Sequence, residues 1–96
     1  MRPSEILPRH REAIRQIVLQ SGMENPRLFG SVLHGDDIDG SDLDLLIDAP
    51  PKASLFDIAK VQIAIENVVG IRVDLLTPDC LPPKFREKVW SEAVPV

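Results

Sequence analysis

The chain has 96 residues and carries a formal net charge of −4 at pH 7, the length of one small domain spanning residues 1–96. Hydrophobic residues make up 44% and charged residues 27%, which fits a globular protein and excludes a collagen, a coiled coil or a disordered tail. No apolar run approaches the roughly 20 residues that a membrane-spanning helix needs, and residues 1–5 lead into no apolar segment of the secretory type. With one cysteine, Cys80, there is no internal disulfide and no zinc-ribbon site, so the expected location is a reducing cytoplasm.

The acidity is local. Residues 31–50 hold six aspartates and no lysine or arginine. Such a patch is either a solvated loop or a cation site, and it disfavours direct binding of nucleic-acid phosphates.

Residues 4–20 have helical periodicity, with Ile6, Leu7, Ile14, Ile17 and Val18 on one stripe and Pro8 expected in the first turn. His10 shares that stripe and reads as a packed or partly exposed histidine, not a ligand. Gly22 is a stop signal. Arg27-Leu28-Phe29 is a short strand that Gly30-Ser31 ends, and a helical turn is expected over Ser31–His34. Residues 36–41 read as loop, with Asp36, Asp37 and Asp39 solvated. Residues 42–48 form a strand: Leu43, Leu45 and Ile47 face one side, and Asp42, Asp44, Leu46 and Asp48 the other.

Ser54 and Asp57 have capping-box spacing ahead of a broadly apolar helix that runs to about residue 69. So wide an apolar surface calls for cover by the sheet and a second element, or by a partner. Gly70 is the helix's C′ residue. Residues 71–77 are the next strand, with Arg72, Asp74 and Leu76 on one face. Pro82-Pro83 opens a last helix, whose Phe85 and Trp90 read as core residues, with partner contact as the alternative. The order is α-β-β-α-β-α: an α+β (α/β-like) domain with a small mixed three-stranded sheet flanked by helices. The strand–helix–strand connection over residues 42–77 favours parallel pairing with a right-handed crossover.

Asp42 and Asp44 leave one strand face about 6–7 Å apart. Asp74 joins them if its strand lies alongside in parallel. Three carboxylates, two of them in a stretch with no lysine or arginine, repel one another, and a divalent cation relieves that repulsion. Upstream, free backbone N–H groups at Gly30-Ser31 make a phosphate cradle. A lone Asp-x-Asp is more often a solvated strand edge, and a lone Gly-Ser a turn. The joint arrangement is the specific signal. Two rivals fail: Gly30 and Gly35 have P-loop spacing, but Asp36-Asp37 stands where Lys-Ser/Thr belongs, and the run Asp37-Ile38-Asp39-Gly40 lacks the outer ligands of an EF-hand.

Leu28-Phe29-Gly30-Ser31, ten residues, then Asp42-Leu43-Asp44-Leu45-Leu46 resembles the signature of the DNA polymerase beta-like nucleotidyltransferases. The short chain and Val73-Asp74-Leu75-Leu76-Thr77 narrow the resemblance to the minimal nucleotidyltransferases (MNT), encoded beside HEPN-domain toxins as their antitoxins. It covers roughly residues 10–80. It implies that Gly30 and Ser31 hold the triphosphate of ATP, and that Asp42, Asp44 and Asp74 are catalytic and bind two Mg²⁺ ions. It also implies transfer of AMP to a hydroxyl, a tyrosine, on the HEPN toxin, within a hetero-oligomer and away from any membrane. The chain itself contains no tyrosine to modify. Leu33-His34-Gly35 departs from the family, which often carries an arginine before the second glycine; His34 is the residue left to replace it. Two alternatives stand beside this reading: an antitoxin that neutralises its partner by binding alone, and a small-molecule nucleotidyltransferase, for whose usual acceptor domain 96 residues leave little room.

Overall fold

The structure is a computed structural model and describes residues 1–96. Its elements in chain order are α1 (Pro3–Gln20), β1 (Glu24–Phe29), α2 (Ser31–His34), β2 (Leu43–Asp48), α3 (Leu55–Val69), β3 (Val73–Leu76), a 3₁₀ turn (Pro78–Cys80), α4 (Pro83–Glu92) and β4 (Val94–Pro95). The strands form one sheet in the order β3-β2-β1-β4. β2 and β3 are parallel, joined through α3, and both pairings of β1 are antiparallel. The mixed α+β architecture is therefore the expected one, with one strand more than the three expected.

The added strand is β4, which places Val94 opposite Leu28 and Pro95 opposite Arg27. Two residues, one of them proline, give no strand signal in sequence, and proline is tolerated here because this is an edge. Val96 is buried beyond it, its N–H bonded to the Pro26 carbonyl at 3.0 Å. β1 also begins earlier than the sequence suggests. Asn25 has a positive φ of 59°, and the register shifts between Glu24 and Arg27. That irregularity lets Pro26 sit inside a strand.

α1 likewise starts earlier, which places Pro8 in the second turn and not the first. The turn before it is held by tertiary contacts: Ile6 and Leu7 are buried, and Asp37 caps the Ser4 N–H from 33 residues away. α3 follows the sequence closely. Ser54 and Asp57 form the reciprocal capping box, at 2.8 and 3.3 Å, and Gly70 closes the helix in the left-handed conformation.

The core lies on one side of the sheet. Leu28, Leu43, Leu45, Ile47, Val73 and Leu75 pack beneath Ile14 and Val18 of α1 and Val61, Ile65 and Val69 of α3. α3 is covered on that side only: Leu55, Phe56 and Ile63 are exposed. α4 buries no residue of its own, and Phe85 and Trp90 are half-exposed, contrary to the core reading. The helix sits at the rim of the opposite sheet face, tethered through polar groups. Arg86 donates to the carbonyls of Pro78 and Leu81 at 3.0 and 3.1 Å. The Trp90 ring lies 4.4 Å from the buried Arg27 guanidinium. No helix is long and apolar enough to cross a membrane.

Candidate nucleotide site

The face opposite the core carries the three aspartates that the sequence placed together. Asp44 stands beside Asp74 in the parallel β2–β3 register and opposite Phe29 in the β1–β2 register. Period-two alternation places its apolar neighbours Leu43 and Leu45 in the core and its own carboxylate on the outer face. Asp42 precedes the strand by one residue and points the same way.

β1 ends at Phe29, and Gly30 turns the chain into α2. Gly30 adopts φ 78° and ψ −152°, a conformation essentially restricted to glycine. Here glycine is required twice over, because a Cβ at this position would overlap the Asp44 carboxylate. Cradle and carboxylate therefore share one spot. The Ser31 backbone N–H lies beside Asp44 and favours its charged form, so the donor assigned by sequence to a phosphate sits next to a carboxylate.

Asp44 carries a marked electrostatic signature. Its pKa is pushed up to about 6, first by burial, then by Asp74 and Asp42, against the opposing pull of the Ser31 N–H. A half-buried carboxylate raised by two like charges is a site that lacks positive charge. Even so, no three His, Cys, Asp or Glu side chains converge closely enough to hold an ion as they stand. Asp42 lies toward the exposed Arg72 guanidinium, 3.9 Å away. An exposed pair at that distance is worth well under about 1 kcal/mol, so it opposes convergence on a cation only weakly. The donor set, all oxygen and all anionic, fits Mg²⁺, which prefers carboxylate, water and phosphate oxygens.

Other residues fall outside this cluster. Asp48 lies on the same face but is taken up by Arg27 at 2.9 Å and Asn25 at 3.1 Å, and these partners hold its carboxyl below the usual range. His34 pairs with Glu92 of α4 at 3.2 Å, linking the cradle helix to the last helix. Cys80 is exposed, its Sγ 3.3 Å from Thr77 Oγ1. His10 is partly exposed. Asp37, read from sequence as solvated, is buried at 3% exposure. Sequence put Arg72 on the face of Asp74 without pairing it with Asp42, and it gave no sign of Glu92, whose place depends on the α4 tether. The largest cavity, about 450 Å³, lies at the far ends of β2 and β3 among Asp48, Pro50, Ile58, Thr77 and Pro78. It is away from the three carboxylates, whose site is an open surface.

An anionic cluster thus lies on the outer face of a mixed sheet, directly beside a glycine-serine turn into a helix. The comparisons give the family. The nucleotidyltransferase domain profile matches residues 7–96, and the chain belongs to that family. A Methanocaldococcus jannaschii protein, provisionally named a protein adenylyltransferase, is 31% identical over 80 residues, covering 83% of this chain and 86% of its own length. The protein adenylyltransferase MntA of Thermococcus cleftensis is 30% identical over 89 residues, covering 93% of this chain and 87% of its own. Among solved structures, one described as a minimal nucleotidyltransferase superimposes with a TM-score of 0.85 at 38% identity, covering 97% of this chain and 95% of that one. A toxin–antitoxin structure solved with AMP-PNP shares the fold at a TM-score of 0.75 and 16% identity, covering 88% of this chain and 70% of that one.

Proposed function

We propose that this chain is an antitoxin that transfers AMP from ATP to a hydroxyl, a tyrosine, of a partner HEPN-domain toxin. The observation that carries this reading is the coincidence of Gly30, the Ser31 N–H and the raised Asp44 at one point of the sheet face. The names of the curated relatives support protein adenylyl transfer, and the toxin–antitoxin neighbour supports the setting.

In this reading Asp42, Asp44 and Asp74 hold two Mg²⁺ ions, and the Ser31 N–H and the Gly30 backbone seat the triphosphate. Bound Mg²⁺ would supply charge neutralisation and a lower pKa for the attacking hydroxyl. The hydroxyl oxygen forms a bond to the α-phosphorus, and the bond from that phosphorus to the bridging oxygen of the β-phosphate breaks. Pyrophosphate leaves, and the hydroxyl proton passes by way of Asp74 to water. The acceptor lies on another protein if it is a tyrosine, since this chain has none.

The alternative, neutralisation by binding alone, draws on the exposed Leu55, Phe56 and Ile63 of α3 and Phe85 and Trp90 of α4. A titration of toxin activity against this protein separates the two. An enzyme silences the toxin at sub-stoichiometric amounts, needs ATP and Mg²⁺, and leaves an added AMP mass on the toxin. A binder works mole for mole without ATP. Equal stoichiometric inhibition with and without ATP, or full transfer by the Asp42→Asn/Asp44→Asn protein, would overturn the catalytic reading.

A further inference from the structure

Asp37 lies midway between the cradle and the first of the metal-binding aspartates. Its neighbours Asp36 and Asp39 are exposed, while Asp37 is 3% exposed. One carboxylate oxygen, Oδ2, accepts the Ser4 backbone N–H at 2.9 Å. The other, Oδ1, is buried with no partner at all. Ser4 sits in the first turn of α1, where backbone N–H groups have no helical acceptor. Asp37 is thus a helix cap delivered from a distant loop, while the local N-cap position is held by Arg2.

A cap alone does not account for the arrangement. A serine or asparagine next to the helix would satisfy the same N–H without burying an orphan oxygen, which costs about 1–3 kcal/mol. What the distant cap adds is a fixed point in the loop. From Asp37 the chain makes one tight turn, in which the Ser41 N–H bonds to the Ile38 carbonyl at 3.0 Å and the Ile38 N–H to Ser41 Oγ at 2.9 Å. Asp42 follows directly. On its other side, the Leu43 N–H bonds to the Arg72 carbonyl at 2.9 Å, where β2 joins β3. Asp42 is therefore held between two anchors, the sheet and the Asp37–Ser4 clamp.

We propose that Asp37 is a positioning residue for the nucleotide site: by clamping the loop over residues 35–42 onto the first turn of α1, it holds the Asp42 backbone beside the start of β2, from where the Asp42 and Asp44 side chains can turn onto a divalent cation. The proposal rests on the reading of Asp42 and Asp44 as metal ligands. Asp37 acts through Asp42 and touches neither metal nor substrate.

The test is a titration of the full-length chain with Mn²⁺, an oxygen-seeking probe whose free form is counted by its paramagnetic resonance signal. Asp37→Ala is expected to weaken Mn²⁺ binding about tenfold, the usual scale for removing a group that orients a ligand. Asp37→Asn keeps an oxygen for the Ser4 N–H and stays within about threefold of the unaltered chain. Asp36→Ala removes the same charge from an exposed position of the same loop and does the same. An Asp37→Ala protein that binds Mn²⁺ as well as the Asp36→Ala control overturns the proposal. Should Asp37→Ala not fold, hydrogen exchange in the unaltered protein decides. Coupling is reciprocal, so if the clamp helps the cation to bind, the cation must tighten the clamp and slow exchange of the Ser4 amide. Unchanged Ser4 exchange at saturating Mn²⁺ overturns the clamp alone. An unaltered chain that binds no Mn²⁺ overturns the metal reading with it.

Discussion

Replacing Asp44 by asparagine is expected to make the metal-free protein more stable, although it removes the central residue of the site. The Asp44 carboxyl is raised to about 6 by burial and by its neighbours Asp74 and Asp42. Against an unfolded value near 3.9, a shift of about two units corresponds to about 3 kcal/mol. The group remains partly open to water, and screening reduces this to about 1 kcal/mol. The folded chain holds this proton more tightly than the unfolded chain does. The contribution is therefore fully present below pH 4, falls away as the pH rises through 6, and is lost above 7. Asparagine has no such dependence. By scanning calorimetry at pH 8 without metal, Asp44→Asn should melt about 4–8 °C above the unaltered protein, the shift that 1 kcal/mol gives in a domain of this size. At pH 4 the two should coincide. Mg²⁺ should raise the midpoint of the unaltered protein at pH 8 and leave that of the variant in place. Protons also compete for the same oxygens, so Mg²⁺ affinity should fall about tenfold between pH 7 and pH 5. An Asp44→Asn protein no more stable than the unaltered one at pH 8 would refute the claim that the site holds uncompensated repulsion.

Gly30→Ala should destabilise the fold by about 2–3 kcal/mol as well as weaken nucleotide binding, because its backbone region is strained for any other residue and the added Cβ meets Asp44; denaturant unfolding checks this, and a fold as stable as before would remove the steric argument. Leu45→Ala, at a position with 0% exposure in the core, should cost about 2–5 kcal/mol by the same assay. Asp48→Ala leaves the buried Arg27 without its carboxylate and should cost about 2 kcal/mol. It should also shift the emission of Trp90, whose fluorescence stands alone in a chain with one tryptophan and no tyrosine. Unchanged emission would mean that the Arg27–Trp90 stack does not depend on Asp48.

Local rules carried much of the fold. The Ser54/Asp57 box, the alternation of residues 43–47 and the Gly70 stop are short-range patterns that need no distant partner, and α3, β2 and the parallel β2–β3 pair are as they indicate. The spacing of Gly30-Ser31, Asp42-Leu43-Asp44 and Asp74 picked out the residues that the structure gathers on one sheet face, because period two fixes a strand residue's side and the crossover fixes its neighbour. Elements whose stability comes from somewhere else were beyond its reach. β4 exists only because β1 offers it an edge. The first turn of α1 forms ahead of Pro8 because Asp37 and the core hold it. Three aspartates in one loop look alike in sequence, and only the packing of α1 against that loop buries one and leaves two in water. The same holds for charge: sequence showed a patch without bases, but the raised pKa of Asp44 needed the β2–β3 register to bring Asp74 beside it and the Gly30 turn to press close, both of them contacts between segments far apart in the chain.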